Sequence, residues 1–290
     1  MNASGCLDAL EAPGVARSLD AFVTKTVTLE SRAGNAPTRI AETSVGMLNS
    51  IGLQNLGLER FLRETLPRLE TLGVPLWVSV GGEGEDVARC CAALDAHRSV
   101  AAIELNVSCP NVETPAEDAS AVVEAARAAT GKPLWAKLSP AVPDIAAVAE
   151  AVAAAGADGL SLVNTVRGLA LDEQSLQPRL GTAVGGLSGP ALRPIALAAV
   201  YACYRATPLP IVGMGGVGSG RDALELLAVG AGSIALGTVL FSDPGAPGRI
   251  RLELAAAVAA AGFATPGEAV GAAHRSPLTS PAKLRLRSRV

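Results

Sequence analysis

Residues 103–114 read IELNVSCPNVET, an apolar run that breaks into a polar, proline-bearing segment holding one cysteine, Cys109, between Ser108 and Pro110. A free thiol has a pKa of about 8.5, and it becomes a proton acceptor near neutral pH where its surroundings favour the thiolate. A single cysteine is more often packing than chemistry, but a polar loop directly after a strand argues the other way. Two lysines give a second signal. Lys25 in VTKTV and Lys137 in LWAKL interrupt apolar runs, and a buried ammonium is costly unless it meets an anion or a hydrogen-bond acceptor. Snorkelling to solvent from a strand end is the competing reading for each. The third signal is IVGMGGVGSGRDA, where Gly213, Gly215 and Gly218 spell G-x-G-x-x-G between a strand and a helix. A dinucleotide fingerprint would open a βαβ unit with an acidic residue after the next strand. Here SIALGTVLFSDPG follows instead, with a second glycine turn at Gly237. Paired glycine turns suit a phosphate held by bare backbone N–H groups and a helix N-terminus.

These residues need elements to hold them. Apolar runs at AFVTKTV, PLWVSV, VAAIELNV, PLWAKL, GLSLVN, PIVGM and SIALGTVLF, with a short opening run MNAS, alternate with helical patterns such as GLERFLRETLPRLETL, EDVARCCAALDAH and SGRDALELLAVG. That makes eight βα units. Continuous apolar strands imply parallel pairing buried on both faces, so the expected fold is α/β, a closed (β/α)8 TIM barrel. Residues 1–275 are expected to form this single domain, with 276–290 a basic, poorly ordered tail. Ser4, Lys25, Ser79, Asn106, Lys137, Asn164, Gly215, Gly216, Gly237 and Thr238 then fall at or just past strand ends and ring one mouth. Two long connections, 28–56 and 166–188, leave the same end and read as lids or walls of a site.

Composition excludes several function classes. A net charge of −3 and a pI of about 5.5 leave no electrostatic footprint for nucleic acid or anionic membrane. There is no apolar stretch of about 18 residues, and the N-terminus lacks a basic region leading into an apolar run, so a soluble, cytoplasmic protein is expected. The five cysteines, at 6, 90, 91, 109 and 203, form no CxxC pair. Neither a disulfide framework nor a metal site is expected.

Taken together, NVSCPN (106–111), LNSIGLQN (48–55), VTKT (23–26), AKLSP (136–140), LVNT (162–165), GGLSGPALRPIAL (185–197), VGMGGV and LGT resemble the FMN-dependent dihydroorotate dehydrogenases. Cys109 resembles the soluble type 1 enzymes, since the membrane-linked type has serine there, and GGLSGPALRPIAL leans toward the NAD-linked type 1B. The resemblance implies oxidation of dihydroorotate to orotate in pyrimidine (UMP) biosynthesis. It implies FMN contacts at Ser4, Lys25, Thr26, Ser79, Asn106, Lys137, Val163, Gly189, Gly215, Gly216, Gly237 and Thr238. It places substrate at Lys25, Asn49, Ser50, Ile51, Gly52, Leu53, Asn106, Asn164 and Thr165, with Lys25 serving both ligands and acting beside Cys109 in catalysis. Ser79 departs from the family's usual asparagine, and a hydroxyl reaches less far than an amide. The resemblance further implies a homodimeric core and an electron-transfer subunit carrying FAD and an iron-sulfur cluster. A fumarate-linked type 1A enzyme and a dihydropyrimidine-type flavin dehydrogenase stay open as alternatives. In the family a short N-terminal segment precedes the first strand and covers the barrel floor. This sequence opens at MNASG, inside that strand, so the segment is expected to be missing, leaving an apolar floor exposed while Ser4 still reaches the flavin end.

Oxidising dihydroorotate removes a proton from the carbon beside a carbonyl and a hydride from its neighbour. Of the candidate bases, His97 ends a helix and His274 lies near the C-terminus, so the resemblance assigns the proton to Cys109. Cys109→Ala is therefore expected to keep FMN and bind orotate while flavin reduction by dihydroorotate, followed by stopped-flow absorbance, slows by about 10² to 10⁴ or more. Bleaching at the normal rate would remove Cys109 from that role.

Overall fold

The computed structural model describes residues 1–107 and 119–275. Cys109 and the tail 276–290 both lie outside the described residues. Eleven strands are present among them: β1 (Phe22–Val23), β2 (Ile40–Thr43), β3 (Gly46–Asn49), β4 (Leu76–Val80), β5 (Val100–Asn106), β6 (Leu134–Leu138), β7 (Gly159–Leu162), β8 (Val166–Leu169), β9 (Val184–Ser188), β10 (Ile211–Gly213) and β11 (Ser233–Ile234). Seven form one parallel sheet in the order β1-β4-β5-β6-β7-β10-β11. The spatial order follows the chain order because each strand returns through a helix, as in a TIM-type α/β barrel.

Side-chain alternation divides these strands into two faces. Val78, Ile103, Leu105, Leu134, Ala136, Leu138, Leu160 and Leu162 pack outward with helix residues such as Val87, Cys91, Leu94, Val123, Ala126, Val152 and Val200. Ser79, Glu104, Asn106, Lys137 and Ser161 occupy the alternate, inward positions. A separate inner cluster gathers Ala3, Val212, Met214 and Ala235 with Met1, Cys6, Trp77 and Trp135. Trp77 and Trp135, near the starts of their strands, have ring centroids 4.8 Å apart. Gly159 makes room for this floor, since a Cβ there would lie 2.5 Å from the Trp135 ring. Met1, Trp77 and Trp135 are each half-buried, so the lower end of the barrel is filled by indole rings.

The short opening run MNAS was expected to lie inside the first barrel strand, and it supplies one parallel bridge there. Asn2 makes an isolated parallel bridge to Leu236, with Ala3 N–H donating to Leu236 O at 2.7 Å and Leu236 N–H to Met1 O at 3.0 Å. On its other side a side chain replaces the backbone. The Asn2 amide donates to Val23 O at 2.8 Å and accepts from Val23 N–H at 2.9 Å. An asparagine amide presents a donor and an acceptor in one plane, as a peptide does, so one buried side chain joins β11 to β1 through residues 1–3. The runs at 21–27 and 233–241 are also cut short. Within the first, β1 covers two residues and Val27 adds a bridge to Val80; in the second, Val239–Ser242 is helical.

The two long connections pair with each other. β2, β3, β9 and β8 form a four-stranded antiparallel sheet, with Asn49 opposite Gly186 and Met47 opposite Ser188. Its own small core is Ala41, Leu48 and Leu180. Among the described residues no helix is long and apolar enough to cross a membrane.

Because Asn2 is wholly buried, Asn2→Ala would orphan both backbone groups of Val23, at about 1–3 kcal/mol for each unsatisfied group. Urea unfolding should register the loss as a lower midpoint at unchanged slope. A change under about 0.5 kcal/mol, the scale of an ordinary surface substitution, would mean that the amide does not close the sheet.

Candidate functional site

Lys137 enters the barrel from β6, one inward position above Trp135, and is almost fully buried. Its ammonium donates to Ser4 Oγ at 2.7 Å and lies 3.7 Å from Glu104 Oε1. The closing segment at residues 1–4 therefore carries a contact of the site as well as the sheet junction. Lys25, expected to be buried, is exposed. It follows the two-residue β1, and its ammonium stands at the cavity wall, 3.8 Å from where a Cβ on Gly5 would be.

A chain of polar side chains crosses the strand ends. Thr26 Oγ1 and Ser79 Oγ share a hydrogen bond of 3.1 Å, Asn106 Nδ2 donates to Thr26 Oγ1 at 3.3 Å, and Asn164 Nδ2 donates to Asn106 Oδ1 at 3.3 Å. The Thr165 N–H closes the series on Asn164 Oδ1 at 2.8 Å. Each link fixes which way an amide faces, which pre-orients Asn106 and Asn164 for a planar polar ligand.

These groups border one cavity of about 550 Å³. Of the sequence-predicted residues, Ser4, Lys25, Thr26, Asn49, Ile51, Gly52, Leu53, Asn106, Lys137, Val163, Asn164, Thr165, Gly189, Gly215, Gly216, Gly237 and Thr238 all line it. Ser50 and Ser79 do not. Ser79 is fully buried behind Thr26, and its shorter side chain ends there. Ser50 is turned into the mouth sheet, sharing a hydrogen bond of 2.6 Å with Thr182 Oγ1 and accepting from Asn35 Nδ2 at 2.8 Å. Met47, Ser188, Cys6 and Phe241 line the cavity without having been singled out. Ser188 lies inside GGLSGPALRPIAL and accepts from Thr238 Oγ1 at 2.8 Å. Met47 reaches the cavity through the pairing of β3 with β9, which no local pattern announces.

One end of the cavity is backbone. Gly215 and Gly216 turn with φ of +120° and +73°, and the helix Gly220–Ala228 follows, capped by Ser219 Oγ on the Asp222 N–H at 3.2 Å. Asp222 accepts from the Gly218 N–H at 3.0 Å and pairs with Arg193, which ties the glycine turn to the neighbouring helix. Two lysines and no acidic residue line the cavity among the described residues, a charge balance suited to an anion. Among the described residues no group of three His, Cys, Asp or Glu gathers as a metal site would need. Burial pushes the Cys90, Cys91 and Cys203 thiols up to about 12, so these three are inert filling. Cys6 is also raised, chiefly by burial and against the pull of Lys137 and Lys25.

The family model described as "Dihydroorotate dehydrogenase" matches residues 1–258. A protein of Desulforudis audaxviator named dihydroorotate dehydrogenase B (NAD(+)), catalytic subunit, is 46% identical over 266 residues, covering 89% of this chain and 87% of its own. One of the same name from Geobacter sulfurreducens is 44% identical over 263 residues, covering 88% and 86%. In three dimensions the chain resembles a DHODH of Eimeria tenella solved with ferulenol, at a TM-score of 0.80 and 22% identity, covering 95% of this chain and 85% of that one. A ligand-free form of the Eimeria protein gives 0.75, also at 22% identity, with 88% and 82% covered.

Alanine substitution in the glycine turn separates two of its positions. At Gly216 a Cβ would meet Arg193 Cβ at 2.8 Å and Gly189 O at 2.9 Å on a backbone at φ +73°, whereas at Gly218 the nearest atom is the flexible Asp222 carboxylate at 3.7 Å. Gly216→Ala is expected to lose on the order of 1–3 kcal/mol and Gly218→Ala to stay within about 0.5 kcal/mol, by thermal unfolding. Equal effects would mean that the turn does not depend on the conformation at 216.

Proposed function

Because the chain belongs to the dihydroorotate dehydrogenase family, we propose that it oxidises dihydroorotate to orotate with FMN as its cofactor and passes the electrons to NAD through a partner subunit. The observation that carries this reading is the continuity of the cavity. The Thr26–Asn106–Asn164 hydrogen-bond series and Lys137 stand at one part of it, and the bare backbone of Gly189, Gly215, Gly216 and Gly237 stands at another.

The residues present fit a flavin mononucleotide. A cavity of about 550 Å³ falls within the range of about 300–1,000 Å³ usual for small-molecule sites. Its glycine end, followed by a capped helix, offers N–H donors for the phosphate, and among the described residues no carboxylate on the wall opposes a dianion. When bound, FMN supplies the hydride acceptor. The protein's own part is to bind, orient and move a proton. Asn106 and Asn164, with their amides locked by the series, and Asn49, held by its Nδ2 donating to Gly186 O at 3.3 Å, match the amide and carboxylate edges of the substrate. Lys25 faces the cavity from the segment after β1 as a cation for the substrate carboxylate. Lys137 supplies positive charge where negative charge develops on electron uptake. Cys109 takes the proton from the carbon beside the carbonyl as the ring double bond forms, following the loop assignment made from sequence.

Name and chemistry support the electron route together. Both relatives described above are named as catalytic subunits of an NAD(+) enzyme, and five cysteines with no CxxC spacing are poorly arranged to ligate an iron-sulfur cluster. The partner subunit would therefore bring FAD and an iron-sulfur relay, joined to a homodimeric core.

The purified chain is expected to show a flavin spectrum that bleaches anaerobically with dihydroorotate, to bind orotate in preference to uracil, and to reduce NAD negligibly on its own. Absence of bleaching would overturn the reaction. Rapid NAD reduction by the isolated chain, or turnover with fumarate, would overturn the electron route and leave the reaction standing.

A further inference from the structure

Glu104 is a charged residue in a place where the fold has no need of one. It sits on β5 one inward position before Asn106, in register with Ser79 on one side and Trp135 on the other, so its side chain enters the barrel interior below the cavity. It is 1% exposed. Its Oε1 makes no hydrogen bond to any described residue and stands 3.7 Å from Lys137 Nζ. The other buried side-chain oxygen without a hydrogen-bond partner among the described residues is Ser161 Oγ, on β7, the register partner of Lys137. The interior just beneath the lysine is thus polar and incompletely hydrogen-bonded, between a tryptophan floor and the cavity.

A buried ion pair is a poor stabiliser. Desolvation of the two charges offsets their attraction, and apolar residues of similar volume often serve as well or better, whereas removal of one partner alone strands the other. The carboxylate at 104 therefore has its clearest physical use through Lys137. From the geometry we propose that Glu104 is a positioning residue for Lys137: it anchors the ammonium from below while Ser4 Oγ receives it from the side, and it offsets part of the lysine's charge so that a bound flavin meets a lysine–glutamate pair in place of a bare cation. The flavin half rests on the functional reading above; the pairing half does not.

The two halves separate in experiment. In the chain without cofactor, a double-mutant cycle of Glu104→Gln and Lys137→Met measures the pairing by urea unfolding. The double variant is expected to be more stable than the sum of the single losses allows, and additive losses overturn the pairing. If Glu104→Gln alone does not fold, a folded double variant supports the pairing, and a double variant as unfolded as the single overturns it. In the FMN-loaded chain, Glu104→Gln removes the counter-charge, so affinity for reduced over oxidised flavin should rise at least tenfold. For a two-electron couple that is an upward shift of about 30 mV in midpoint potential, read by dye equilibration. The same substitution in the Lys137→Met background should change that ratio less than threefold. A residue that only filled space would alter stability and leave the potential alone, and an unmoved potential in Glu104→Gln overturns the electrostatic role. A wild-type chain that takes up no FMN overturns the functional reading and the flavin half with it, while the cofactor-free cycle still decides the pairing.

Discussion

A parallel strand covered on one face by helices and on the other by the barrel interior has two sets of positions with opposed demands, and the site depends on how the chain divides them. On β5, Ile103 and Leu105 face the helices and are fully buried, while Glu104 and Asn106 occupy the alternate positions. Burial of each outward aliphatic side chain contributes about 1.5–3 kcal/mol, which holds the strand in register. A one-residue slip would exchange the two faces and place the carboxylate among leucines. The inward positions are then free to carry chemistry at fixed height. Trp77 and Trp135 close the lower end, Glu104 comes next, and Asn106 and Lys137 reach the cavity.

Rigidity at the mouth has a different source. Ser79, Thr26, Asn106 and Asn164 come from four strand ends, and their hydrogen bonds run along the rim as one series. In a buried network each bond restrains its neighbour, and an unmade one is costly. The mouth sheet adds a second restraint, because β3 and β9 come from distant parts of the chain and hold Met47 opposite Ser188. Ser188 in turn receives Thr238, linking this wall to the glycine end of the cavity. A ligand spanning the cavity would therefore meet surfaces that are already connected.

Closure is the structure's economical point. Asn2 bridges to Leu236 through backbone and to Val23 through its side chain, and two residues later Ser4 receives the Lys137 ammonium. Stability of the sheet junction and placement of a site lysine thus share one short segment.

Local signals were enough to read much of this from sequence. Continuous apolar runs, the helices between them, the glycine turns after the last two strands and the polar residues at strand ends all follow from side-chain period and backbone freedom, which each residue carries by itself. The family motifs placed most of the cavity lining for the same reason. Tertiary structure decided what depends on distant partners. It turned Ser50 toward Thr182 and left Ser79 behind Thr26, since a side chain's direction is set by which neighbour satisfies it. It joined the connections at 28–56 and 166–188 into one sheet, a pairing between segments that no local period encodes. It exposed Lys25 and buried Lys137, although both lysines interrupt similar apolar runs, because only Lys137 lies within a laddered strand, with Glu104 beneath it and Ser4 beside it. It also replaced half of the closing strand with a single asparagine amide. Sequence settles which groups are present and how the chain alternates locally; the free energy of burying each polar group depends on what the rest of the fold brings within hydrogen-bonding distance.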